Sequence, residues 1–133
     1  MITRYIILVT GPPYGTQQSS SAYLFAKTIL FMKCCQLDSI FFYREGTTNA
    51  NYFLSLPHDE HNLVLYWKEL SEKFDVKLNI CISSALKRGI FNKKNHVNQY
   101  KKDIKTNVIQ GFQLSGLTTL FKSMLHCDRM VQF

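Results

Sequence analysis

Three short apolar runs constrain this chain more than any other feature. Arg4-Tyr5-Ile6-Ile7-Leu8-Val9-Thr10 stops at Gly11-Pro12-Pro13; Asp38 to Tyr43 has Ser39-Ile40-Phe41-Phe42-Tyr43 at its heart; Val76 to Ile82 stops at Ser83-Ser84. Strands with one wet face alternate apolar and polar residues, whereas the first two runs are continuous at their centres, the pattern of strands buried on both faces; the apolar residues of the third, spaced by Lys77 and Asn79, read as a short buried strand as well. Helical periods lie between them. Ser19 to Met32 places Ala22, Phe25, Ala26 and Ile29 on one face, and Tyr23, Leu24 and Leu30 make the remainder apolar, so this helix needs neighbours on more than one side. From about Glu60 to Phe74, Leu63, Tyr66, Trp67, Leu70 and Phe74 form a stripe opposite Lys68, Glu69, Glu72 and Lys73. Strands alternating with helices predict an α/β domain whose parallel sheet is covered on both faces.

The remaining elements are shorter. Gly111 to Gly116 holds a fourth strand, Leu117, Leu120, Phe121 and Met124 mark an amphipathic last helix, and Met130-Val131-Gln132-Phe133 closes the sheet as a fifth strand. Asn92 to Asn107 is polar and Lys-rich, and reads as partly helical and mobile. With 133 residues, 46% hydrophobic and 19% charged, the chain is expected to form one domain, residues 1–133, with a real core.

In parallel sheets functional groups gather at the C-terminal strand ends, which selects the loops Gly11 to Gln18 and Arg44 to Asn51 and the turn after Cys81. Cys81 stands where a strand hands over to a helix that Ser83-Ser84 can cap, with Lys87-Arg88 close behind. Helix dipole and positive charge favour thiolate over thiol, and the thiolate is the form that attacks sulfur. A buried core cysteine is the competing reading. Cys34, Cys35 and Cys127 read as mainly structural, and Cys81 as partly exposed. The first loop lacks the Gly-Lys-Ser/Thr ending of a P-loop and the three-glycine dinucleotide fingerprint. Its Tyr14, Thr16 and Gln17 are instead expected to wall the Cys81 pocket, with Arg44, Lys87 and Arg88 as candidates for stabilising an anion. Tyr52, Phe53, Leu54 and Leu56 give the segment from Gly46 to Pro57 a large apolar load, which folds back on the core or meets another subunit; the second is favoured.

Neither the four cysteines nor the four histidines make metal-binding spacings, so no structural metal is expected. Tyr5 to Val9 is too short and too strand-like for a signal peptide or a membrane span, and the reading is cytoplasmic. The net charge of +7 attracts acidic partners such as tRNA or an acidic protein. Within the Lys-rich stretch only Phe74, Phe91 and Tyr100 could stack on bases, so direct tRNA contact is not expected.

Four segments together resemble one family. They are Val9-Thr10-Gly11-Pro12-Pro13-Tyr14-Gly15-Thr16-Gln17-Gln18-Ser19-Ser20; Phe41-Phe42-Tyr43-Arg44-Glu45-Gly46 with Asn49-Ala50-Asn51; Leu78-Asn79-Ile80-Cys81; and Gly111 to Leu117 with Cys127 to Phe133. The chain resembles the DsrE/TusD family, most closely its TusD branch, nearly end to end. The resemblance implies a three-layer α/β sandwich with a mainly parallel five-stranded sheet. It also implies a sulfurtransferase, needing no cofactor, whose Cys81 takes sulfur as a persulfide from a TusA-like donor and passes it to a TusE-like acceptor. The sulfur would serve 2-thiolation of the tRNA wobble uridine, in a heterohexamer with TusB-like and TusC-like subunits. A DsrE-type carrier in sulfur oxidation and a non-catalytic assembly subunit are the alternatives.

Overall fold

The computed structural model describes residues 1–92 and 106–133. In chain order the elements are β1 (Thr3–Val9), α1 (Gln18–Phe31), β2 (Cys35–Phe42), a 3-10 helix (Arg44–Ala50), α2 (Leu63–Phe74), β3 (Lys77–Cys81), α3 (Ile82–Lys87), β4 (Phe112–Ser115), α4 (Leu117–His126) and β5 (Arg129–Gln132). The five strands form one sheet in the order β4-β3-β2-β1-β5, and every neighbouring pair is parallel. The α/β reading with five strands therefore holds, and the sheet is wholly parallel.

Side-chain alternation divides the sheet into two unequal faces. Ile7, Val9, Ile40, Phe42, Leu78, Ile80 and Phe112 point into a large core closed by Ala22, Ala26 and Ile29 of α1 and by Leu63, Val64, Trp67 and Leu70 of α2. The opposite face holds a smaller cluster of Ile6, Leu8, Phe41 and Cys81, met by Leu120 of α4. A bulge adjusts β2 to this division. Tyr5 pairs with Leu37 but Ile6 pairs with Ser39, so Asp38 is skipped. Leu37 and Ile40, three residues apart, thereby both reach the large core.

Local chemistry shifts some boundaries. Helix α2 begins at Leu63 rather than near Glu60, because Asn62 is its N-cap and its side chain accepts from the Leu65 amide. It ends on Asp75 in the left-handed region, φ 55°. Ser83 and Ser84 do not cap α3; β3 runs directly into it, so Cys81 is itself the N-cap residue and the serines lie in the first turn.

The segment from Gly46 to Pro57 does two things. Its first half folds back on the core as the 3-10 helix, with Gly46, Thr47, Asn49 and Ala50 buried. Gly46 packs so closely that any Cβ there would run into the Val9 carbonyl oxygen. Leu54 packs against the large core, while Tyr52 and Phe53 stand exposed, their rings 6.2 Å apart. Most of the Lys-rich stretch expected to be part-helical lies outside the described residues. At its border Asn107 is buried, its side chain bonding the Phe91 amide at 2.9 Å and the Gly89 carbonyl at 2.7 Å. Among the described residues no helix is long and apolar enough to cross a membrane.

Candidate functional site

Because all strands are parallel, their C-terminal ends meet at one edge of the sheet, and among the four cysteines Cys81 alone lies there. Cys34 and Cys35 sit at the start of β2, and Cys127 just before β5. In β3, Leu78 and Ile80 face the large core, and Cys81 faces the smaller cluster. Below it Asn79 ties β3 to β4: its Oδ1 accepts from Gln113 Nε2 at 2.7 Å and from Ser115 Oγ at 3.1 Å.

Cys81 is 4% exposed, so the expectation of partial exposure is corrected. Its packing against Ile6, Leu8, Phe41 and Leu120 covers it, because α4 crosses that face of the sheet. It nevertheless lines a cavity of about 260 Å³ built from three neighbouring strand ends: Tyr43 after β2, Ile82, Ser83, Ser84 and Lys87 after β3, and Gly116 and Leu117 after β4. The thiol is thus covered by apolar neighbours and adjoins a space of partly polar lining.

Arg44 lines a second cavity of about 270 Å³ with Leu8, Thr10 and Gln132, and Tyr43 is a wall of both. The Arg44 guanidinium lies 5.6 Å from the Tyr43 ring centroid. Its backbone is left-handed at φ 54°, unfavourable for a residue with a Cβ. Arg88 is engaged elsewhere, with Nη2 2.7 Å from Glu45 Oε1 and Nη1 donating to the Ser84 carbonyl at 3.0 Å. Lys87 lines the Cys81 cavity and has no ion pair among the described residues.

Tyr14, Thr16 and Gln17 are exposed and line neither cavity. Two features of the topology remove them. Strand β2 lies between β1 and β3, separating their ends by two strand spacings, about 10 Å. The loop after β1 also feeds α1, on the face opposite Cys81. Nothing in the sequence around Tyr43, Gly116 or Leu117 marks them as lining residues. Each follows a strand end, but only the order β4-β3-β2 shows that those ends flank Cys81.

The other thiols differ from expectation in one respect: Cys34 is exposed rather than structural. Its Sγ lies 3.7 Å from that of Cys35. Desolvation, then the hydrogen bond to Cys34 and its charge, push the Cys35 thiol above its ordinary pKa. Cys127 is half-buried and donates to the Met124 carbonyl. No group of three or more His, Cys, Asp or Glu among the described residues could hold a metal ion.

A wholly parallel five-stranded sheet with a cysteine at the end of its third strand defines a class, and the DsrE/DsrF-like family model matches residues 3–133; the chain belongs to that family. Curated relatives of similar length are named Sulfurtransferase TusD. That of Buchnera aphidicola subsp. Acyrthosiphon pisum (strain APS) is 48% identical over 129 residues, 97% of this chain and 98% of its own. Those of Yersinia pestis (strain Pestoides F) and Proteus mirabilis (strain HI4320) are 47% and 44% identical, each aligned over 97% of its own length and over 98% and 97% of this chain. Among solved structures the ychN protein from E. coli superposes with a TM-score of 0.75 at 17% identity, covering 99% of this chain and 100% of that one, a likeness of fold.

Proposed function

We propose that this protein is a TusD-type sulfurtransferase in which Cys81 carries sulfur as a persulfide. The sulfur comes from a TusA-like donor and goes to a TusE-like acceptor for 2-thiolation of the tRNA wobble uridine. The relay operates in the cytoplasm within a heterohexamer that includes TusB-like and TusC-like subunits. The observation that carries the reading is the placement of Cys81 at a strand end, beside a cavity, in a chain 44–48% identical to proteins named for sulfur transfer.

The chemistry is displacement at sulfur. The Cys81 thiolate attacks the outer sulfur of the donor's Cys–S–SH, the donor's S–S bond breaks, and the donor cysteine leaves as thiolate. A new S–S bond on Cys81 replaces the one lost, so no external oxidant or reductant is consumed. The persulfide then occupies the 260 Å³ cavity, where Ser83, Ser84 and Tyr43 offer hydroxyl groups and Lys87 a positive charge. Arg44 acts through the adjoining cavity, its guanidinium held against the shared Tyr43 wall.

Incubation with a persulfide donor followed by intact-protein and peptide mass analysis tests the assignment. One added sulfur mapped to Cys81, and lost in Cys81→Ala, supports it; sulfur on Cys34 or Cys127 with Cys81 unmodified defeats it.

A further inference from the structure

Helix α4 carries its apolar stripe on the wrong side for a helix whose only partner is its own sheet. At 3.6 residues per turn, Leu117, Leu120, Phe121, Met124 and Leu125 lie within a stripe roughly 140° wide. Only Leu120 is buried. Phe121 is 59% exposed and Leu125 83%, with Leu117 and Met124 also exposed. This stripe runs directly to the Cys81 cavity, because Leu117 both lines that cavity and reaches the surface. Phe121 and Leu125 follow one and two turns further on.

We propose that the outer face of α4 is the docking surface for the protein that accepts sulfur from Cys81, an acidic protein that presents apolar anchors beside its own cysteine. The inference rests on the reading of Cys81 as the carrier. Two observations select this occupant. The first is charge: α4 contains Lys122 and His126 and no Asp or Glu, Lys87 stands at the cavity, and the chain carries +7 overall. Asp38 lines a groove with Lys122, Ser123 and His126 and accepts from Gln36 Nε2, and Asp128, two residues beyond the helix, is paired with Arg4. A second copy seated on the stripe would bring +7 against +7, whereas an acidic partner is attracted.

The second is the burial of Cys81. A persulfide that small thiols drew on as fast as its protein acceptor would lose its sulfur in transit. With Cys81 covered by Leu120 and its neighbours, an attacking thiol must come through the cavity, and a partner seated on Leu117, Phe121 and Leu125 is held beside its opening. There the acceptor thiolate attacks the outer sulfur, the S–S bond to Cys81 breaks, and Cys81 leaves as thiolate. The surface thus confers selectivity on the unloading step.

The test uses the chain assembled with its homologous subunits, as wild type, Phe121→Asp, Leu125→Asp and Lys122→Glu. Cys81 is loaded with glutathione persulfide, and sulfur is then drawn off either by the TusE-like protein or by free glutathione. All three variants are expected to slow transfer to the protein by about tenfold or more, the loss typical of an interface hot spot. Loading, unloading by glutathione and the light-scattering mass should stay as in wild type. Unchanged transfer to the protein overturns the proposal. So does loss of the assembled mass, which makes the stripe a subunit interface, or slowing confined to the TusA-like donor step. Titrating the TusE-like protein onto the Cys81→Ala complex, with and without Leu125→Asp, separates the two readings. Binding weakened by Leu125→Asp sustains the docking surface even where wild-type Cys81 fails to load, and equal binding removes it.

Discussion

The indole Nε1 of Trp67 donates to Asn49 Oδ1 at 3.0 Å, and that one bond joins the centre of α2 to the loop that leads away from β2. The same oxygen accepts from Ser19 Oγ at 2.8 Å, while Asn49 Nδ2 donates to the carbonyls of Gly11 at 3.1 Å and Gly46 at 2.8 Å. A single buried amide thus ties together the chain leaving β1, the start of α1, the 3-10 helix and α2, with both donors and both acceptor sites satisfied.

Asn49→Ala should destabilise the protein by about 2–4 kcal/mol, since it strands the Trp67 and Ser19 donors and two carbonyls in a buried site. Urea denaturation measures the loss. Trp67→Phe in the same chain should recover part of it, with a non-additive term of at least about 0.5 kcal/mol in the double-mutant cycle. Strict additivity would show that the network is not coupled.

Cys81→Ser and Cys81→Ala should both abolish sulfur loading, and they should differ in stability. The serine hydroxyl enters a site packed by Ile6, Leu8, Phe41 and Leu120 and should cost about 1–3 kcal/mol unless it finds a partner in the cavity. Alanine places no polar atom there. Labelled-sulfur transfer measured beside melting curves checks both; a serine variant that still carries label sinks the carrier assignment.

Thiol labelling should follow exposure. A bulky maleimide should modify Cys34 first and leave Cys81 last, whereas a small reagent such as iodoacetamide should reach Cys81 through its cavity. Cys35, held above its ordinary pKa by desolvation and then by Cys34, should react appreciably only as the pH rises. Replacing Cys34 by Ser removes the thiol's bond and charge, so the Cys35 rate profile should move to lower pH. Peptide mass mapping over a pH series reads all three.

Arg44→Gly should raise stability by up to about 1 kcal/mol, because glycine adopts φ 54° without the Cβ penalty, offset in part by its greater unfolded-state freedom. If the guanidinium beside Tyr43 assists the anionic sulfur, loading of Cys81 should slow in the same variant. A more stable protein that loads at the wild-type rate would leave Arg44 without a role in transfer.

Much of the architecture was legible along the chain. Continuous apolar runs such as Ile6–Val9 and Ile40–Phe42 are buried on both sides, and that pattern requires a parallel sheet with helices on its faces. The stripe of Leu63, Trp67 and Leu70 was readable because helical period and burial coincide there. The bulge at Asp38 was not, because it depends on how β1 and β2 pair rather than on either sequence alone.

The site divides in the same way. The sequence by itself determined that Cys81 ends a buried strand, for a local run of apolar residues and the helix after it suffice to say so. Which residues surround that thiol was decided only by the tertiary structure. Lining depends on which strand ends become neighbours, and the order β4-β3-β2-β1-β5 brings Tyr43, Gly116 and Leu117 to Cys81 while sending Tyr14, Thr16 and Gln17 elsewhere. Burial is likewise non-local: Cys81 is covered because Leu120, far along the chain, crosses its face of the sheet. Periodicity encodes the two faces of each element, but adjacency between elements is set by packing the whole chain at once.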